Sequence, residues 1–303
     1  MDEPVGLGHS KYSHIIDRMI ERSTGAAHVT DKNVYQPGNP VNKPLMHEII
    51  SELLLPGSRV DGLEHLTELH ALGQRRKACL VLMEHYSNFD IPNFYELLES
   101  RGEEGRRIAD SIVSVAGVKL NEDSKLVLAF TEIFTRVVIF PSRSVSAIED
   151  ERRRREAERR RARINIAALK TLMRLRREGR LVLVFPTGTR YRPWDPSTAR
   201  GLKEIDTYIK FYSSMVLVAV NGNTLRPNPA GGMDEDFPVP DLMLFTVSPV
   251  MRCSEFRKEA MRSAPEDADA KQAVVDRVMA RLAEMHEQAE AERQRLLAEA
   301  IRH

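Results

Sequence analysis

The chain is poor in cysteine, with Cys79 and Cys253 as its only two. That excludes a disulfide framework and a thiolate zinc site, and it fits a reducing compartment. Long apolar runs are missing too. Stretches such as Met215–Val220 are strand-sized and far too short to cross a bilayer. The opening Met1-Asp-Glu-Pro-Val-Gly6 has no basic segment leading into an apolar one, so no secretory signal is expected. No internal repeat is visible. These absences predict a cytoplasmic protein, either soluble or peripheral to the inner face of the membrane. What is present is ordinary in bulk: 303 residues, 42% hydrophobic and 29% charged, enough for one large domain or one large and one small. The net charge of +1 conceals strong local asymmetry.

Residues 1–76 read as a helical N-terminal subdomain. Ile15, Ile16, Met19 and Ile20 recur at helical spacing, Leu45 to Leu55 does the same and stops at Pro56-Gly57, and a third stretch runs from Leu63 to Leu72. No strand is evident there. From residue 77 to 303 short apolar runs alternate with helical ones. The strands expected are Cys79–Met83, Ile108–Val115, Arg136–Phe140, Leu181–Phe185, Val216–Asn221 and Leu242–Val250. Helices are expected at Pro92–Arg101, Asp123–Phe134, Ile148–Glu178 and Ile205–Ser213. Such alternation predicts an α/β fold, a mostly parallel or mixed sheet flanked by helices. Leu225–Pro240, with four prolines and with Gly231 and Gly232, reads as a loop. Asp267–Ile301 reads as a long C-terminal helix whose Val274, Val278, Leu282 and Met285 form a docking stripe.

Two segments carry chemistry. In Val81-Leu-Met-Glu-His85-Tyr-Ser-Asn-Phe-Asp90-Ile-Pro92, His85 and Asp90 are five residues apart. On a regular helix they would face roughly 140° apart, so they meet only if the chain between them turns. Ser87-Asn88 is turn-like and Pro92 suits a first helical turn, which predicts Asp90 as the N-cap, aimed back at His85. An imidazole oriented by a carboxylate can take a proton from an alcohol. About a hundred residues later, Phe185-Pro-Thr-Gly-Thr-Arg190-Tyr-Arg192-Pro193 reads as a strand end, a turn at Gly188 and an arginine pair suited to an anion. Taken alone, each has a plainer reading: a chance H-x4-D, and a solvated basic loop.

Together, in this order and spacing, the two segments resemble the glycerolipid acyltransferase superfamily, whose signature is H-x4-D followed by F-P-E-G-T-R. Thr187 stands where that signature has Glu. The wording is similar to the P-S-G-G-R-D-R-P segment of the soluble, chloroplast-type glycerol-3-phosphate acyltransferases, which also lack the Glu, and Trp194-Asp195-Pro196 stands near that group's D-P. Arg136-Val-Val-Ile-Phe-Pro-Ser142-Arg143-Ser144 resembles a further motif of the group, although Arg143 is the only charge where the group has two lysines and a histidine. The match spans roughly residues 78–222, about half of the chain.

The resemblance implies an O-acyltransferase that moves a fatty acyl group from acyl-ACP or acyl-CoA to the sn-1 hydroxyl of glycerol 3-phosphate. His85 and Asp90 would be catalytic, and Arg143, Arg190 and Arg192 would hold the phosphate. Gly188 would serve the oxyanion or the turn, and no metal or cofactor is required. A 1-acyl-glycerol-3-phosphate acceptor is the nearest alternative. A non-catalytic lipid- or carrier-binding protein is the alternative of another class.

Glu151–Arg163 holds eight arginines in a helical context. One reading is a solvated helix laced by Glu151–Arg155 and Glu156–Arg160 pairs. The other is a dock, along Arg152, Arg155 and Arg159, for an acidic carrier protein or an anionic membrane. Nucleic acid is not expected, because no aromatic side chain stands in this stretch to stack bases.

Overall fold

The structure, a computed structural model, describes residues 5–146, 148–232 and 235–300. Through the first half, the elements are α1 (Ser13–Arg22), β1 (Tyr35–Gln36), α2 (Lys43–Leu53), β2 (Arg59–Asp61), α3 (Leu63–Gln74), β3 (Cys79–Met83), α4 (Asp90–Glu99), α5 (Gly102–Ser111), β4 (Ile112–Gly117), α6 (Lys119–Glu122), α7 (Lys125–Thr131) and β5 (Arg136–Ile139). Then come α8 (Arg143–Ser146), α9 (Glu151–Arg177), β6 (Leu181–Val184), α10 (Ile205–Phe211), β7 (Ser214–Asn221), β8 (Leu225–Arg226), β9 (Phe237–Pro238), β10 (Leu244–Val247), β11 (Met251–Arg252), α11 (Cys253–Arg262) and α12 (Ala270–Ala300).

Among the described residues, nine strands form one mixed sheet in the order β1-β5-β4-β6-β3-β7-β10-β2, with β11 beside β7. The five central strands, β5 to β7, are parallel, and β1 and β10 join antiparallel. The fold is α/β, with helices on both faces. Alternate residues of β3 show why its sequence is apolar throughout. Cys79, Val81 and Met83 enter the core under α1 to α5, while Leu80 and Leu82 enter the core under α9 to α12. A strand covered on both faces needs no polar alternation.

The N-terminal helices share that first core: Ile15, Met19, Ile49 and Leu66 lie in one cluster with Val81 and Val216. This segment also supplies β1 and β2 to the two ends of the sheet, strands of two and three residues that are too short to leave a periodic signal. The strand expected at Ile108–Val115 is corrected. Gly102, at φ 83°, starts a new helix whose buried Gly105, Ile108 and Ala109 lie at helical spacing, and the strand begins only at Ile112. A short apolar run fits either period. Leu225–Pro240 is not wholly loop, because β8 and β9 pair within it as a small ribbon.

The tail is helical from Ala270, and Val274, Val278 and Leu282 are fully buried with Met285 nearly so. Burial of each such side chain contributes roughly 1.5–3 kcal/mol. Further along, Asn221 Nδ2 donates to the His286 carbonyl at 3.0 Å and Arg293 pairs with Asp241, which fixes α12 along β7 and β10. Among the described residues, no helix is long and apolar enough to cross a membrane.

Candidate active site

β3 and β6 are direct parallel neighbours, with Leu82 opposite Val184, so their carboxyl ends open side by side. This adjacency brings together two segments about a hundred residues apart. In parallel α/β sheets the crevice at the carboxyl ends is where ligands bind. Beyond β3 the chain runs through Glu84 to His85 and turns. Asp90, fully buried, is the first residue of α4. Phe89, not Asp90, holds the capping position, because the Asp90 carboxylate points back into the turn that precedes the helix. Its Oδ2 accepts hydrogen bonds from the amides of Tyr86 (2.7 Å) and Ser87 (3.0 Å) and from His85 Nδ1 (2.9 Å). Its Oδ1 accepts from Ser87 Oγ at 3.1 Å. A carboxylate only accepts, so Nδ1 carries the proton and Nε2 is the free base of the neutral ring. Only 15% of the His85 side chain is exposed.

The second segment locks this histidine from the other side. The Phe185 ring stacks on the His85 ring, with centroids 3.8 Å apart and planes within 9°. The Tyr191 amide donates to the His85 carbonyl at 2.8 Å. Gly188, at φ 61°, makes the turn between them, and a Cβ there would stand 2.4 Å from Leu202 Cδ1. Its own amide donates to the Phe185 carbonyl at 2.9 Å, so of the two roles expected for Gly188 the turn is the one its geometry fits.

The three arginines have different surroundings. Arg190 is 7% exposed and ion-paired through Nη1 with the buried Asp236. Burial pushes the Asp236 carboxyl above the usual carboxylate range, against the opposing pull of Arg190 and the Asn228 amide. Only the remaining N–H groups of Arg190 are left for an anion. Arg192 is half-buried; its amide donates to Thr198 Oγ1 at 2.9 Å, and among the described residues its guanidinium has no ion-pair partner. Arg143 opens α8 after β5, three strand positions from β3 at the same end of the sheet, or roughly 14 Å at about 4.8 Å per strand. Its side chain lies outside the described residues.

A second pair flanks the first. Glu84 Oε2 accepts from His286 Nδ1 and from the Val220 amide, both at 2.9 Å, while the Tyr86 hydroxyl donates to Glu84 Oε1 at 3.3 Å. Burial alone would lower the His286 pKa, but the hydrogen bond and charge of Glu84, joined by Glu290, outweigh it and hold it above its ordinary value. Sequence reasoning did not single out Glu84, His286, Asp236 or the Phe185 stack. The place of Glu84 beside His85 in the chain was the one available hint. Outside the site, Arg155 pairs with Glu151 at 2.5 Å as expected, whereas Arg160 turns from Glu156 to Glu122 and the Val29 carbonyl. No protein-family model matches the chain, and no curated protein matches it.

Proposed function

We propose that the protein is an O-acyltransferase that esterifies the sn-1 hydroxyl of glycerol 3-phosphate with an acyl group from acyl-ACP or acyl-CoA. The observation that carries this reading is the His85 imidazole itself. It is oriented by a buried carboxylate and clamped by Phe185 of the arginine-bearing segment, at the carboxyl ends of two parallel strands. In this reading His85 Nε2 removes the hydroxyl proton as the oxygen attacks the thioester carbonyl. The C–S bond then breaks, and the thiolate leaves and is protonated, with His85 returning its proton. Asp90 holds the ring and stabilises the transient imidazolium. Arg192, with the free part of the Arg190 fork and with Arg143, holds the phosphate and so selects the acceptor.

The test is thiol release by the purified protein, given glycerol 3-phosphate or its 1-acyl form with each donor. Turnover is expected with glycerol 3-phosphate, and His85→Ala should lower it by about 10²–10⁴-fold, the usual contribution of a general base. His85→Ala within a few-fold of wild type would remove the catalytic assignment. Turnover confined to the 1-acyl form would move the acceptor, and no turnover with any pair would leave a binding protein.

A further inference from the structure

The solvent side of α9 is not a uniformly charged face. Buried Ile164, Ala168, Leu172 and Leu175 mark the side that packs on the sheet. On the opposite side Arg152, Arg155, Arg159, Ala162, Ile166, Leu169 and Met173 follow one another at steps of three and four residues, so they form a single line along the helix. The line is cationic at its start and apolar further on. Ile166, Leu169 and Met173 are 56%, 52% and 43% exposed, three of the large apolar side chains that this molecule leaves in water. Arg176 Nη1 donates to the Phe211 carbonyl at 2.6 Å, which sets a fourth exposed apolar side chain, Phe211, beside the last turns of α9. Exposed Arg163, Lys170 and Arg177 border the patch, and Lys210 lies over the Phe211 ring. Over its whole length α9 carries twelve basic against three acidic side chains.

From this arrangement we infer that the outer line of α9, with Phe211, is the surface by which the protein lies on an anionic lipid membrane: Ile166, Leu169, Met173 and Phe211 enter the acyl boundary while the arginines meet lipid phosphates. An apolar stripe bordered by Lys and Arg is what an interfacial helix presents to such a surface. A second copy of the chain fits poorly. Pairing along this line would place Arg152, Arg155 and Arg159 against one another or against the apolar stretch, with no acidic partner on the second copy in either case. An acidic carrier protein would satisfy the arginines but has no need of three exposed apolar residues in line with them. Because α9 starts after the carboxyl end of β5 and ends just before β6, its arginine-bearing end lies at the same end of the sheet as His85. The surface chemistry stands without the acyltransferase reading, which adds only a reason for a lipid-facing enzyme.

The experiment is flotation of the full chain with vesicles of phosphatidylcholine, with and without phosphatidylglycerol. Binding is expected to the anionic vesicles and to weaken in high salt, since exposed charges are screened beyond about 10 Å at 0.1 M. The combined Ile166→Gln, Leu169→Gln and Met173→Gln variant should lose about ten-fold or more in partitioning, and Arg155→Glu with Arg159→Glu should do the same. All these positions are exposed, so thermal melts should match wild type. His85→Ala should float like wild type whatever reaction the protein performs, which separates this test from that of the activity. Four results would overturn the inference. They are no flotation on anionic vesicles, a Gln variant that partitions like wild type, a wild-type dimer that the Gln variant converts to monomer, and charge reversals that raise only the KM for a carrier-protein donor.

Discussion

Replacing Asp90 by Asn and by Ala separates the charge of this carboxylate from its place in the turn. The carboxylate accepts two backbone amides, the Ser87 hydroxyl and His85 Nδ1. In Asp90→Asn the amides of Tyr86 and Ser87 require an acceptor at the Oδ2 position, so the amide oxygen must stand there. The NH2 group then faces Ser87 Oγ, a hydroxyl that can accept. The Ser87 hydroxyl, which also accepts from the Phe89 amide, loses the acceptor for its own proton, while the His85 tautomer is preserved. Two charge-assisted backbone bonds become neutral ones, a loss of about 1 kcal/mol each. In Asp90→Ala the same two amides lose their acceptor, and with Ser87 fully buried the cost is about 1–3 kcal/mol for each. That is a large share of a typical stability of about 5–15 kcal/mol. For turnover, the lost term is the attraction between Asp90 and the imidazolium, about 4 kcal/mol for charges 4 Å apart at an effective dielectric constant of about 20. A partly transferred proton realises part of it, so Asp90→Asn should lower kcat by about 30- to 300-fold while melting below wild type but above Asp90→Ala. Thiol release measures the first and circular dichroism the second. An Asn variant that turns over within about three-fold of wild type, or Asn and Ala variants that melt alike, would refute the reasoning.

Arg190 and Arg192 should part company. Arg192→Ala should leave the melt unchanged and raise the KM for glycerol 3-phosphate by roughly ten- to a hundred-fold, the equivalent of about 1.5–3 kcal/mol for a charge-assisted bond; an unchanged KM would place the phosphate elsewhere. Arg190→Ala strands the buried Asp236 and should cost about 3–5 kcal/mol in stability, seen as a lowered denaturation midpoint. The His286–Glu84 pair predicts a pH signature. Because the folded protein holds the His286 pKa above its ordinary value, the pair's contribution is complete below that value and is lost as pH rises through the folded one. The difference in Tm between wild type and His286→Gln should therefore shrink as pH rises above the ordinary histidine value of about 6.5; a difference that is flat or grows with pH would mean that Glu84 does not hold a charged imidazole.

Patterns confined to one segment were legible without coordinates. The apolar run Cys79–Met83 and the stripe Val274–Met285 occupy the strand and the helix face that their spacing indicates, since burial on two faces and on one face leaves different periods in a sequence. The need for a turn between His85 and Asp90 was equally legible, because five residues of helix would hold them apart. Ile108–Val115 failed because a short apolar run carries no period of its own.

Tertiary structure alone decided that β6 lies beside β3, since a parallel crossover can return to any neighbouring position. It therefore decided that Phe185 stacks on His85. It also decided that Arg190 is largely taken by Asp236 and that His286 reaches Glu84 across more than half of the chain. These contacts depend on which distant surfaces the packed sheet and helices bring within a few ångströms, and no local spacing encodes that. The same holds for α9, where the sequence showed the arginines and the fold showed which apolar side chains remain uncovered in line with them.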